Sequence, residues 1–246
     1  MTETRKAALT RWLEFLATVL VIVVTLTVGS LVLWDRLNPP STRRSAPPLP
    51  SEWVGIEGAA IRGDRAADVA VILFSEFQCP FCGTSARDVL PEIDRQYFDT
   101  GKAFLAFRHY PLAIHANAQK AAEAAECAGN QMKFWEFHDW AFQHQKELDL
   151  KNLELAAKSL GLDAARFATC LAGDAAGEMT NKVKMDVTSA EAFGIAGTPA
   201  WFLGVVQGDG RVKVTERLQG AVPVIELQKA LDRTIEAARA QVGGGS

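Results

Sequence analysis

Residues 68–77 read DVAVILFSEF, an apolar run with polar flanks that leads straight into Cys79-Pro80-Phe81-Cys82. A short apolar run without alternation is the signature of a strand covered on both faces, as strands are in sheets flanked by helices. Residues 83–97 then place Val89, Ile93 and Tyr97 at helix-compatible spacing, with Pro91 as an expected kink. Residues 102–109, KAFLAFRH, are short, apolar and aromatic and read as a second strand. Strand, helix, strand is a parallel unit, so the chain is held to an α/β fold with two cysteines at a strand-to-helix junction.

The remainder extends that order. Residues 116–128, 134–148, 150–160, 163–171 and 175–193 read as helices, with Asp163 as an N-cap and Gly161 and Gly173 as stops. Residues 200–203 and 211–216 read as a strand pair around the Gly208-Asp209-Gly210 turn, and 223–238 as a closing helix. Phe134, Trp135, Phe137, Trp140 and Phe142 crowd one segment. Most are expected in the core, with a minority free to line an apolar groove near Cys79.

The cysteine pair carries the chemistry. Two residues between cysteines on one helical turn bring the sulfurs within bonding range. Cys79 falls at the helix N-terminus, where unpaired N–H groups and the dipole favour a thiolate. The first sulfur is expected to project and react, and Cys82 to point inward and resolve. A structural disulfide is the weaker reading, since so tight a loop adds little stability. Zinc would want a second Cys-x-x-Cys or a His pair at ligand spacing. Cys127 and Cys170 are single, and His109, His115, His138 and His144 form no i,i+4 pair, so neither a metal nor a cofactor is expected. Glu76 is a possible proton acceptor for the resolving thiol, or else a solvated charge at the strand end.

The amino-terminal part is of another kind. Residues 15–34 carry no charge over 20 positions, the length that crosses a bilayer as a helix, with Trp12 and Trp34 at its borders. No small-residue cleavage site follows, so an uncleaved anchor is expected rather than a signal peptide. The expected organisation is 1–11 cytoplasmic, 12–34 transmembrane, a proline-rich linker over 35–51, and a flexible tail over 241–246. Net charge is +3 over residues 1–50 and −6 over the rest, a total of −3 that argues against a nucleic-acid binder. Arginine and lysine flank the span equally on both sides, so charge alone leaves its orientation open.

The runs FSEFQCPFC, FRHYPL, ECAGNQMKFWEFHDWAF and GIAGTPAWF, in that order, resemble the DsbA class of bacterial thiol-disulfide oxidoreductases. The resemblance spans about residues 52–240. It implies a thioredoxin fold over 52–112 and 194–240, interrupted by a helical insertion over 113–193. It implies that Pro199 is cis and faces the redox pair, and that Thr198 offers its backbone to an extended substrate; on the residues alone, Gly197-Thr198-Pro199 is an ordinary turn. Strongly oxidising members carry His where this chain has Phe81, beside Pro80, so a less oxidising couple is implied. Some relatives have a second disulfide in the insertion. That supports a Cys127–Cys170 bond closing a 44-residue loop, against the reading of two buried free thiols.

The expected function is a membrane-tethered oxidoreductase that exchanges the Cys79–Cys82 disulfide with unfolded or reduced secreted or envelope proteins. The resemblance adds a quinone-linked membrane partner for reoxidation. An oxidising compartment places the folded part outside the cytoplasm. A reductase or isomerase with the same residues, and a tethered binding or chaperone module without catalysis, are the competing readings.

Overall fold

The computed structural model describes residues 53–173 and 177–243, together with residues 20, 22, 23, 25–27, 29 and 30. The chain forms two units, Met1–Pro47 and Pro48–Ser246. In the first, the described residues are helical, and Thr25, Thr27 and Ser30 turn their hydroxyls onto carbonyls three or four residues back. The expected cytoplasmic segment 1–11 and linker 35–51 lie outside the described residues, as does most of the expected span 12–34. Among the described residues, no helix is long and apolar enough to cross a membrane.

The second unit is built on a six-stranded sheet in the order β1-β6-β5-β3-β4-β2. The strands are β1 (Trp53–Gly55), β2 (Ala60–Gly63), β3 (Val69–Ser75), β4 (Phe104–His109), β5 (Ala200–Val206) and β6 (Arg211–Gln219). β3 and β4 are parallel, and every other pairing is antiparallel. The central apolar runs became strands because both their faces are covered: every residue of β3 and β4 is buried. Val71, Leu73, Leu105, Phe107, Trp201 and Leu203 face one core, and Ala70, Ile72, Phe74, Phe104, Ala106 and Phe202 the other.

After β3 the chain enters α1 (Pro80–Thr84), a π-helical turn (Ser85–Val89), α2 (Leu90–Ile93) and a second π turn (Asp94–Phe98). The irregularity expected at Pro91 is therefore spread over two π turns. Pro91 itself sits in the first turn of α2, where a missing N–H is tolerated. Between β4 and β5 lie α3 (Ala118–Gly129), α4 (Phe134–Gln143), α5 (Leu150–Ser159), α6 (Ala164–Leu171) and α7 (Glu178–Ala192). The expected cap is present, with Asp163 accepting from the Arg166 N–H at 3.0 Å. α8 (Val224–Gly243) closes the unit and runs three residues into the segment expected as a tail.

Two further features depart from the sequence reading. β1 and β2 were not anticipated; they are edge strands of three and four residues, too short to show a period, and their pairing is set by β6 and β4. α4 ends at Gln143 rather than 148, and its last turn is covered by the Trp140 indole stacked on the His144 ring at 4.7 Å.

Buried charge anchors α7 to the sheet. Arg108 on β4 donates to Asp186 at 2.6 Å and to the Gly55 carbonyl at 2.6 Å, while Asp186 also accepts from the His109 N–H at 2.9 Å. This pins the middle of α7 against β4.

Candidate active site

β3 ends at Ser75, and Glu76-Phe77-Gln78 carry the chain to Cys79, the N-cap residue of α1. Cys79 is extended (φ −67°, ψ 120°), and Pro80 fills the first turn, where a fixed φ starts a helix and no donor is wasted. The Gly83 N–H closes that turn on the Cys79 carbonyl at 3.0 Å. Phe77 roots the loop in the core, packed against Phe107 at 5.9 Å and Phe142 at 5.0 Å between ring centroids.

Cys79 and Cys82 are both thiols here, and both are buried. Cys79 is 3% exposed, which corrects the expectation that its sulfur projects freely; the projecting side chain of the motif is Phe81, at 63%. The cover comes from the other end of the fold. The Thr198–Pro199 peptide is cis, and the Thr198 carbonyl accepts from the Cys79 thiol at 3.4 Å. Thr198, 119 residues from the cysteine, is thus brought against it at the entry to β5, and the cis bond joins it to Pro199.

The two thiols are driven apart. Cys79 is lowered to about 5, first by the hydrogen bond from Cys82, then with help from the Thr198 side chain and the Cys82 and Phe81 N–H groups, all against burial. Cys82 is pushed well above the ordinary thiol range, first by burial and then by the Cys79 sulfur beside it. The arrangement favours one thiolate at the helix N-terminus with a protonated neighbour.

Glu76 has no exposed surface, so it is not a solvated strand-end charge. Burial raises its pKa first, against hydrogen bonds from Gln78 and His115. The Gln78 N–H donates to Glu76 Oε2 at 2.7 Å, and His115 Nδ1 is hydrogen-bonded to Oε1. Three residues missed by sequence reasoning complete the site. His115 is the first. Gln145 is the second: its Nε2 donates to the Phe77 and Cys79 carbonyls, each at 2.8 Å. Arg87 is the third, holding Gln145 Oε1 at 3.2 Å and the Phe142 carbonyl at 2.7 Å. Their separations from their partners, 39 residues for His115 and 66 to 68 for Gln145, leave no local signal.

Away from this site, Cys127 on α3 and Cys170 on α6 are joined (S–S 1.98 Å, Cα–Cα 5.8 Å). Phe134, Phe137 and Phe142 are core residues, whereas Trp135 and Trp140 are half-buried and Trp135 donates to the Ile61 carbonyl at 2.7 Å. Among the described residues, no group of three His, Cys, Asp or Glu is placed to hold a metal.

A family model described as Thioredoxin matches residues 56–222. The fold is similar to that of Wolbachia pipientis alpha-DsbA1 (TM-score 0.66, 24% identity, 76% of this chain and 95% of that one). It is also similar to oxidised BdbD from Bacillus subtilis (TM-score 0.63, 20% identity, 76% and 96%). Among curated proteins, 163 residues are 37% identical to a segment of the Na(+)/H(+) antiporter NhaA 3 of Salinispora tropica, covering 66% of this chain. That match spans about a quarter of the antiporter's length (24%).

Proposed function

The chain belongs to the thioredoxin family, with the fold of the DsbA-like proteins, and from that premise we propose that it is a thiol-disulfide oxidoreductase acting on protein substrates. The observation that carries this reading is the split between the two thiols: Cys79 lowered to about 5 at a helix N-terminus, Cys82 raised behind it.

The split sets the order of events. With the pair oxidised, a substrate thiolate attacks Cys79 Sγ. The Cys79–Cys82 bond breaks, and Cys82 leaves as a thiolate that takes up a proton. A second substrate thiol loses its proton and attacks the substrate sulfur of the mixed disulfide, and Cys79 departs as a stable thiolate. Two electrons pass from the substrate dithiol to the cysteine pair. In the reverse direction Cys82 gives up its proton, with Glu76 as the proposed acceptor, and displaces the captured partner. The Thr198 backbone, set against Cys79, is the proposed pairing edge for an extended substrate, and Phe81 its apolar neighbour.

The Phe81 side chain supplies no hydrogen-bond donor to the thiolate, which supports a milder oxidant than relatives with His at this place. A reductase or isomerase remains the second reading for the same reason. The uncharged run 15–34 supports a membrane tether, and the Cys127–Cys170 bond supports an oxidising space outside the cytoplasm. A quinone-linked membrane partner for reoxidation rests on the family resemblance alone. Cation transport is said of the antiporter relatives and forms no part of the proposal.

Substitution tests the reading. Cys79→Ser is expected to abolish exchange with a reduced protein, and Cys82→Ser to accumulate a mixed disulfide at Cys79. A Cys79→Ser protein that still exchanged would overturn Cys79 as the reacting sulfur, and an unsubstituted protein that bound substrate without exchange would favour the binding-module reading.

A further inference from the structure

Glu76 is wholly buried, so a proton that it accepts has no direct way to water. Both carboxylate oxygens are engaged, Oε2 by the Gln78 N–H and Oε1 by His115 Nδ1. The His115 side chain is 22% exposed against 0% for Glu76, so the imidazole bridges the buried carboxylate and solvent. It is held in that place. The His115 N–H donates to the Leu112 carbonyl at 3.0 Å, and the His115 carbonyl accepts from Ala118 at 3.1 Å. The Asn117 N–H donates to Gln78 Oε1 at 2.6 Å, lacing this loop to the one that carries Glu76. An imidazole can accept a proton at one ring nitrogen while releasing one from the other.

We propose that His115 is a positioning residue of the redox centre that connects Glu76 to solvent. The proposal rests on the exchange chemistry above and adds a route for its proton. When Cys82 resolves a mixed disulfide, its S–H proton passes to the Glu76 carboxylate, the proton shared between Glu76 Oε1 and His115 Nδ1 moves onto the imidazole, and the Nε2 proton leaves to water. The electron pair left on Cys82 forms the bond to Cys79 Sγ, and the captured partner leaves as a thiolate. No electron passes through Glu76 or His115, and no further reactant is needed.

The test is stopped-flow reaction of the reduced full-length chain with an aromatic disulfide that releases a coloured thiolate. The first release reports attack by Cys79 and the second reports resolution by Cys82. His115→Ala is expected to slow the second release about a hundredfold more than the first, the lower end of what one positioned proton-transfer group contributes. Added imidazole is expected to restore the second release in His115→Ala but not in Glu76→Gln. Heavy water is expected to slow the second release of the unsubstituted protein more than the first, a readout that needs no variant to fold. An unchanged second release in His115→Ala, a loss that imidazole does not restore, or equal slowing of both releases overturns the relay. None of these touches the exchange reading, which fails instead if no first release occurs at Cys79.

Discussion

Cys79 draws its low pKa from donors that exist only in the folded chain, the Cys82 thiol and the N–H groups of Cys82 and Phe81. The sign of the linkage follows. A thiol whose folded pKa lies below its unfolded one contributes stability that is complete above the unfolded value and is lost as pH falls through about 5. The oxidised protein lacks this contribution. Urea unfolding should therefore show the reduced form gaining on the oxidised form as pH rises from about 5 toward the ordinary thiol range; a constant difference would contradict the assignment. Phe81→His should add a donor to the thiolate and raise the reduction potential by about 30 mV, the equivalent of one charge-assisted hydrogen bond. The potential would be measured against glutathione. The cysteine pair was legible because its activation depends on a strand meeting a helix. Glu76 was only half legible: its carboxylate is visible in the sequence, but its hydrogen-bond partner His115 is supplied from beyond β4.

At the scale of elements, the site is a turn clamped from the helical insertion. Gln145 holds the carbonyls on either side of Gln78, and Arg87 holds Gln145. A Cβ on Gly83 would fall 2.1 Å from Gln145 Oε1, the mobile end of a side chain. Gly83→Ala should thus displace the clamp and slow thiol exchange with a small change in stability, measurable on one preparation by exchange rate and urea midpoint. Gly204 is different. It sits at the register shift between β5 and β6, and a Cβ there would lie 2.2 Å from the Lys213 carbonyl, which is backbone. Gly204→Ala should cost about 1–3 kcal/mol or more in urea unfolding, as overpacked sites do. Long apolar strands and periodic helices were readable because burial imposes its period on them. β1, β2 and the π turns were not, since their conformation is set by partners far along the chain.

For the whole molecule, the Cys127–Cys170 bond ties α3 to α6 across a separation of 43 residues. Replacing both by Ala should lower stability by about 4 kcal/mol on the chain-entropy argument, while exchange at Cys79 changes less than about twofold. Calorimetry and an exchange assay on the same variant check both halves. The proposed tether makes a separate claim. The full chain should remain with membranes through an alkaline wash, and an impermeant thiol reagent should reach Cys79 in intact cells once an impermeant reductant has opened the pair; recovery in the soluble fraction would refute the anchor. The interrupted fold was legible only through four motifs in a shared order. Composition and periodicity by themselves carried the chain no further than an α/β unit with helices between two groups of strands.

The most direct test of the account is the rate of Cys79 alkylation as a function of pH in the reduced protein carrying Cys82→Ala alongside the unsubstituted chain. The account predicts an inflection near 5 in the unsubstituted protein, moving upward once the Cys82 donor is removed. An inflection at the ordinary thiol value in both, about 8.5, would contradict it.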